Sequence, residues 1–229
     1  MTGERVIASG RDAEMVDLGG GRLLRRPRVA RSLEGEAVVM RLARAAGYPV
    51  PEVIEVRPDG MVMERVDGPT MLEDLGAHPW RVGRHARTLA DLHHRLHAIP
   101  AQDGLPAPFG SPAAGDVLVH GDLHPANVLL AGDGPVVIDW SNAGRGPAGA
   151  DVADAWLLLA SAEAPGDRML RVLVVALRAR FLAAFLRRAG RAEAAPHLAA
   201  AVRRRIADAN LSQAEKAAME RIAATHGTS

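Results

Sequence analysis

The order of apolar and polar positions predicts a strand-rich first part of the chain. Short apolar runs alternate with turn signals, which include Gly10, the glycines at 19–21 and the hairpin sequence Pro58-Asp59-Gly60. The predicted strands are residues 6–8, 14–18, 22–25, 53–56 and 61–64. This pattern indicates a small antiparallel sheet.

One helix is predicted between the third and fourth of these strands. Ser32 is a favourable N-cap residue, and helical spacing continues to about Ala46. Gly47 suits the C-terminal end of the helix, and Pro49 and Pro51 prevent its continuation. The first part of the chain is therefore predicted to be a sheet with a single helix.

From residue 70 onward the pattern is mainly helical. Residues 79–98 place Val82, Leu89, Leu92 and Leu96 at near-helical spacing. The other predictions are a helix at 72–76, a Pro/Gly-rich loop at 100–112, strands at 117–119, 128–130 and 136–138, and about four helices over 151–225, with breaks near Pro165-Gly166, Gly190 and Asn210. We therefore predict an α+β fold with two lobes, residues 1–66 and residues 67–229.

The composition indicates only an ordinary globular protein. The 229 residues carry a net charge of +1, 48% hydrophobic and 24% charged residues and no cysteine, so disulfide and thiolate chemistry are excluded. The near-zero charge and 3% aromatic content argue against a nucleic-acid partner. No apolar run at the start resembles a signal peptide, and the apolar stretch 169–185 is interrupted by arginines. We expect a cytoplasmic monomer or weak homodimer with no membrane partner.

The strongest chemical signal is the sequence His120-Gly121-Asp122-Leu123-His124-Pro125-Ala126-Asn127. It follows a predicted strand, and Asp139 ends a later apolar run. Two carboxylates and a carboxamide at this spacing suit phosphoryl transfer, because one can act as a base and two can supply oxygens to Mg²⁺. The alternative is that these side chains only cap turns, as Asp and Asn often do.

This sequence, together with Ile138-Asp139-Trp140, resembles the signature of the aminoglycoside phosphotransferase and choline kinase-like family, which has a protein-kinase-like fold. The resemblance implies that Asp122 is the catalytic base and that Asn127 and Asp139 are magnesium ligands. It also implies that His120 is a structural residue behind the loop. Asp151 is similar to an aspartate that opens the next helix and braces the loop, a role compatible with a helix N-cap.

The resemblance extends to the first lobe. Arg25, in Leu23-Leu24-Arg25-Arg26, stands where such folds have a lysine that holds the α- and β-phosphates of ATP. Glu36 has the spacing of its glutamate partner, although Glu34 competes for that role. Arginine can bind phosphate with two donors, but it is longer and planar. Alternatively, Arg25 is a solvated strand residue.

The remaining nucleotide signals are weaker. Met63, Glu64 and Val66 resemble the hinge whose backbone would bind adenine. The segment 8–13, where a phosphate-covering loop would lie, contains one glycine and no Gly-rich repeat, and the glycines at 19–21 are better explained as a hairpin turn.

Two further clusters are predicted to be structural. His93 and His97 have the i, i+4 spacing of a metal pair, but no HExxH glutamate accompanies them, and a Leu-His pair near this helix end resembles ordinary family packing. The arginines at 203–205 are predicted to form a solvated helix face.

The leading hypothesis is an ATP- and Mg²⁺-dependent phosphotransferase that acts on a hydroxyl of a small molecule such as an aminoglycoside, sugar or amino alcohol. Asp154, Glu163 and Asp167 are acidic candidates for the acceptor pocket. One alternative is a catalytically inactive nucleotide-binding module of the same fold. Another is a metal-dependent hydrolase that uses His120, His124 and Asp139.

Overall fold

The computed structural model describes residues 5–9, 13–110, 113, 115–162, 167–207 and 211–227. The described strands are β1 (Arg5–Ser9), β2 (Ala13–Gly19), β3 (Arg22–Pro27), β4 (Val53–Arg57), β5 (Gly60–Glu64), β6 (Val117–Val119), β7 (Val128–Ala131), β8 (Gly134–Val137) and β9 (Gly144–Gly146). The described helices are α1 (Glu34–Ala45), α2 (Met71–Ala77), α3 (Val82–His97), α4 (Ala148–Ser161), α5 (Arg168–Ala189), α6 (Arg191–Ala194), α7 (Leu198–Ile206) and α8 (Gln213–His226).

Several sequence predictions fall outside the described residues. They are Gly10 and the centre of the predicted phosphate-covering loop, the helix breaks at Pro165-Gly166 and Asn210, and the acidic candidate Glu163.

The first five strands form one antiparallel sheet in the order β1-β2-β3-β5-β4. The glycines at 19–21 lie at the β2–β3 turn with positive φ angles of 74°, 60° and 71°, which a residue with a Cβ rarely adopts. Strand β3 lies at the centre and pairs with β5, so that Arg25 is opposite Met61. The antiparallel sheet and the α+β fold class are confirmed.

Helix α1 begins slightly later than predicted. Its N-cap position is Leu33, and the Ser32 hydroxyl instead accepts a hydrogen bond of 3.3 Å from the Glu34 backbone. Ser32 therefore satisfies a free N–H group at the helix start from one position further out. The helix ends as predicted before Gly47, whose φ of 77° ends the helical backbone.

Helices dominate after residue 70. The predicted helix at 79–98 is in fact a 3₁₀ turn, Pro79–Arg81, followed directly by α3. Two small antiparallel sheets, β6–β9 and β7–β8, carry the loops of the candidate site. Strand β9 was not predicted, since its Gly144-Arg145-Gly146 sequence has no apolar pattern.

The C-terminal part contains more helices than the four predicted, because Gly190 is followed by the short α6 and a 3₁₀ turn before α7. No helix in the described ranges is both long and apolar enough to cross a bilayer.

A continuous apolar core joins the first sheet and α1 to the helical part. Tyr48 packs edge-on against Trp140 at 5.7 Å between ring centroids, and the Val137 backbone donates to the Pro49 carbonyl at 2.8 Å. Both Tyr48 and Trp140 are buried. These contacts fix the segment after β8, which carries Asp139, against the strand-rich part.

Candidate active site

The carboxylate of Asp151, in α4, anchors the loop that follows β6. It accepts hydrogen bonds from the backbone of His120 at 3.2 Å and of Gly121 at 2.7 Å. Gly121 has a φ of 69°, and a Cβ there would lie 2.7 Å from the Asn142 carbonyl. The loop therefore turns sharply at a glycine and is anchored on a buried carboxylate.

Two histidines of α3 complete the support of Asp151. His97 Nε2 lies 2.9 Å from an Asp151 carboxylate oxygen, and His93 Nδ1 lies 3.6 Å from the same oxygen. Burial alone would raise the pKa of Asp151, but its interactions with the two histidine rings outweigh this effect and hold the pKa well below its usual value. The three groups are close enough to hold a metal ion. Since Asp151 already accepts two backbone hydrogen bonds, we assign the cluster a structural role.

His120 is fully buried behind the loop. Its ring Nε2 lies 3.1 Å from the Ile138 carbonyl, and the ring packs against Trp140 at 4.9 Å between centroids. Burial lowers the pKa of His120, so the imidazole is neutral at physiological pH. A buried, packed ring does not suit the hydrolase alternative, which requires His120 as a metal ligand.

Asp122 and Asn127 lie together on this loop. The Asn127 amide nitrogen donates to the Asp122 backbone carbonyl at 2.9 Å and to Asp122 Oδ2 at 3.1 Å. His124 Nε2 lies 3.7 Å from the same carboxylate oxygen. Burial by itself raises the pKa of Asp122, but the interactions with His124 and Arg205 outweigh it, so this carboxyl stays ionised far below neutral pH.

Asp139 approaches this loop from the segment after β8. The Ile138 backbone donates to the Asn127 carbonyl at 3.0 Å. Asp139 is the next residue, so this hydrogen bond keeps it near the loop. Asp139 is the one non-glycine residue with a positive φ, 60°, in the described part of the chain. Such a conformation costs about 1–3 kcal/mol and is typical of functional sites.

The oxygen atoms present fit a magnesium ion. Asn127 uses its amide nitrogen for Asp122, which leaves its Oδ1 oxygen for a cation. Asp139 has a side chain 44% exposed and receives one hydrogen bond of 2.9 Å from Ser141. Because Mg²⁺ takes few protein oxygens and fills its other positions with water and phosphate, these two residues are a sufficient pair.

Arg25 of β3 lies beside these residues. Its Nη1 is 2.7 Å from Glu36 Oε2 and its Nη2 is 3.5 Å from Asp139 Oδ1. The Arg25 and Glu36 side chains are only 4% and 7% exposed, so the solvated-strand alternative for Arg25 is wrong. Burial raises the pKa of Glu36, and the Arg25 charge opposes that rise.

The residues predicted to form the hinge lie at the end of β5, where Met63 and Glu64 are its last two residues, and just after it, where Val66 lies. Met63 is buried, and the Glu64 amide nitrogen donates at 2.8 Å to the carbonyl of Glu52, the residue before β4. Glu64 and Val66 line a cavity of about 610 Å³, together with Arg44 and Asp133. Asp122, Asn127 and Asp139 do not line this cavity, so it is separate from the candidate chemistry.

Sequence reasoning missed the two arginines that α7 brings to the loop. Arg205 is buried and its Nη2 lies 2.7 Å from Asp122 Oδ1, and Arg204 donates to the Gly121 carbonyl at 3.0 Å. The prediction of a solvated face was therefore wrong for these two residues, although Arg203 is exposed. A buried guanidinium requires carboxylate partners, and here Asp154 supplies one.

Two of the acidic residues predicted for the acceptor pocket, Asp154 and Asp167, already have partners within the chain. Asp154 is buried and pairs with both Arg204 and Arg205, because an isolated buried charge would be too costly. Asp167 caps α5 by accepting a hydrogen bond of 2.9 Å from the Leu170 backbone.

Comparison with known proteins places these observations in a family. The model of a family described as "Phosphotransferase enzyme family" matches residues 4–116 and 105–201. No curated protein matches the chain significantly.

Solved structures share the fold at low sequence identity. A ternary complex of a thermostable mutant of aminoglycoside phosphotransferase APH(4)-Ia with AMP-PNP and hygromycin B has a TM-score of 0.68 and 17% identity, over 100% of this chain and 95% of that one. A choline/ethanolamine kinase family protein from Mesorhizobium loti has a TM-score of 0.57 and 17% identity, over 98% and 87%. The amicoumacin kinase hAmiN, in complex with AMP-PNP, Ca²⁺ and Ami, has a TM-score of 0.57 and 14% identity, over 98% and 87%.

Proposed function

The chain belongs to the phosphotransferase enzyme family, and from this premise we propose that it is an ATP- and Mg²⁺-dependent small-molecule kinase. It would transfer the γ-phosphoryl group of ATP to a hydroxyl of the acceptor. In this proposal, residues 1–66 bind the nucleotide, and residues 67–229 carry the catalytic loop and the acceptor pocket.

The observation that carries the proposal is the chain of contacts from Glu36 through Arg25 to Asp139. One end is the pair that would hold the nucleotide phosphates, and the other end is a magnesium ligand in the proposal. Ile138, the residue before Asp139, donates a hydrogen bond to Asn127, and the Asn127 side chain donates one to Asp122. The groups proposed to hold phosphate, to bind the metal and to accept the proton are therefore contiguous, which supports phosphoryl transfer.

Each residue has a distinct part in the proposed reaction. Arg25 would hold the phosphates from β3, with Glu36 keeping its guanidinium in place. The backbone of the hinge Met63, Glu64 and Val66 would bind adenine. Asn127 and Asp139 would hold Mg²⁺, which when bound neutralises charge on the phosphate oxygens.

Asp122 would orient the acceptor hydroxyl and take its proton. The acceptor oxygen forms a bond to the γ-phosphorus while the bond from that phosphorus to the β–γ bridging oxygen breaks, and ADP leaves. The low pKa of Asp122 makes it a weak base, but phosphoryl transfer depends mainly on positioning and charge stabilisation. An ionised carboxylate on the loop suits orientation of a hydroxyl.

The acceptor is proposed to be an uncharged hydroxyl compound. Asp154 is neutralised by Arg204 and Arg205, and Asp167 is used as a helix cap. A polycationic acceptor would therefore find no free partner in either of these two carboxylates. This electrostatic environment favours sugars or other neutral polyols over aminoglycosides.

The test is transfer of labelled γ-phosphate from ATP to a panel of neutral, cationic and anionic hydroxyl compounds, with ATP binding measured separately. The proposal expects labelled product, most rapidly with neutral acceptors. ATP binding without product from any acceptor would support the alternative of a catalytically inactive nucleotide-binding module. Absence of both binding and product would contradict the proposed function.

A further inference from the structure

Helix α7 reaches the candidate catalytic loop from a distant part of the sequence. Arg205 lies 83 residues after Asp122, yet its Nη2 is 2.7 Å from Asp122 Oδ1. The same nitrogen donates to the Gly121 carbonyl at 2.9 Å. The residues matched by the family model end at 201, so this contact comes from outside the matched region.

Arg205 is itself fixed in place. Its Nε lies 2.9 Å and 3.0 Å from the two carboxylate oxygens of Asp154, and its side chain is 9% exposed. Asp154 belongs to α4, the helix that also carries Asp151. The planar guanidinium therefore joins α4, α7 and the loop in one geometry, with little competition from water.

The carboxylate of Asp122 is consequently held at both oxygens. Oδ1 receives the Arg205 hydrogen bond, and Oδ2 receives the Asn127 hydrogen bond of 3.1 Å. A carboxylate held at two points cannot rotate freely about its χ angles.

Arg204 offers a built-in comparison. It also donates to the Gly121 carbonyl, at 3.0 Å, and to Asp154, at 2.8 Å, but it makes no hydrogen bond or ion pair with Asp122. Its guanidinium instead lies over the Phe109 ring at 5.0 Å from the centroid. The two neighbouring arginines thus share their partners except for the carboxylate of the proposed base.

We propose that Arg205 is a positioning residue for the phosphoryl transfer, which it serves by fixing the carboxylate of Asp122 through Oδ1. This inference rests on the proposed function. A purely structural role, in which Arg205 only neutralises Asp154, predicts a different response to mutation.

The experiment compares Arg205→Met, Arg205→Lys and Arg204→Met, with the acceptor that the panel identifies. Measured quantities are kcat, the KM for ATP and the folded fraction. For Arg205→Met we expect kcat to fall by about 100-fold with a nearly unchanged KM for ATP, because a small misplacement of a reacting group has effects of this size. Arg205→Lys should retain part of the rate, since one donor remains, and Arg204→Met should stay within about threefold of wild type in kcat.

A double variant controls for the case in which Arg205→Met fails to fold. Arg205→Met leaves Asp154 with one fewer buried partner, so the double variant Arg205→Met/Asp154→Asn removes that charge. We expect the double variant to regain folded protein without regaining kcat. Recovery of kcat together with folding would assign Arg205 a purely structural role and overturn the inference.

The outcomes separate the inference from the function on which it rests. A wild-type protein with no transfer to any acceptor would remove the proposed function and this inference together. An active wild type whose kcat is unchanged in folded Arg205→Met would overturn only the inference. Exchange of backbone amides over residues 120–127, which we expect to be faster in Arg205→Met than in wild type, reports loosening of the loop independently of turnover.

Discussion

The guanidinium of Arg25 lies 2.7 Å from the carboxylate of Glu36, and both side chains are almost completely buried. Strand β3 thus presents a paired cation at the point where the sheet meets Asp139, whose carboxylate is 3.5 Å away. Arg25 Nε is buried and has no hydrogen-bond partner among the described residues. A buried donor without a partner is uncommon and suits a site that receives phosphate oxygens.

We predict that Arg25→Ala weakens binding of MgATP by about 10- to 100-fold, since a hydrogen bond to a charged group contributes about 1.5–3 kcal/mol. Isothermal titration calorimetry measures the change. Arg22→Ala, an exposed position on the same strand, is the matched control and should bind normally. Unchanged ATP affinity in folded Arg25→Ala would show that Arg25 does not bind phosphate and only pairs with Glu36.

Transfer should depend on Mg²⁺ through Asp139. We predict that a chelator abolishes product formation, that added Mg²⁺ restores it, and that Asp139→Asn raises the Mg²⁺ concentration needed for half-maximal rate by at least about tenfold, because a charged ligand is lost. Ser141→Ala, which removes only the hydrogen bond to Asp139, is the control. Full activity of wild type in excess chelator would contradict the assignment of Asn127 and Asp139.

Asp151 should contribute strongly to folding stability. We predict that Asp151→Asn lowers the free energy of unfolding by about 3–5 kcal/mol at neutral pH, the usual cost of breaking a buried charged network. The folded pKa lies below the unfolded value of about 3.9, so this contribution is complete at neutral pH and is lost as the pH falls from about 4 towards the folded pKa.

Urea unfolding at pH 7 and near pH 3 measures this contribution. Asp91→Asn, an exposed aspartate of α3, is the control and should change stability little. An Asp151→Asn protein as stable as wild type at pH 7 would show that the loop does not depend on this anchor.

Gly144 should tolerate no side chain. A Cβ there would lie 2.0 Å from the Pro106 carbonyl, whereas a Cβ at Gly132 would have no atom within 4 Å. We predict that Gly144→Ala lowers the free energy of unfolding by at least about 1–3 kcal/mol, because the loop before β6 must move away from β9. Gly132→Ala is the control, and thermal unfolding of both variants checks the difference. Equal melting temperatures would contradict this packing.

The sequence allowed prediction of the sheet, of α1 and of the loop near Asp122, because each leaves a local signal. The strands alternate or end at glycines, and Asp122 and Asn127 lie on one short segment. The pairing of Arg25 with Glu36 came from the family spacing, and burial of the pair became visible only in the structure. The lobe boundary at residue 66 and the catalytic roles of the site residues stay predictions.

Arg205 could not be assigned from local sequence because its partners are about 50 and 83 residues away. Three consecutive arginines are typical of a solvated face. That interpretation overlooked a weak indication, in the preceding apolar residues, that Arg205 is buried. Leu198, Ala201 and Val202 precede Arg205 at helical spacing and are all buried, so Arg205 continues their stripe. A charge on such a stripe indicates a buried partner, but it does not identify Asp154 or Asp122.

The most direct test of the central claim is γ-phosphate transfer by wild type and by Asp122→Asn, with Asp59→Asn, an exposed aspartate of the β4–β5 turn, as the control. We predict transfer by wild type and by the control. Asp122→Asn should reduce the rate by about 100- to 10,000-fold with ATP binding retained, which is the usual contribution of a positioned proton acceptor. Transfer at the wild-type rate by Asp122→Asn would contradict the account.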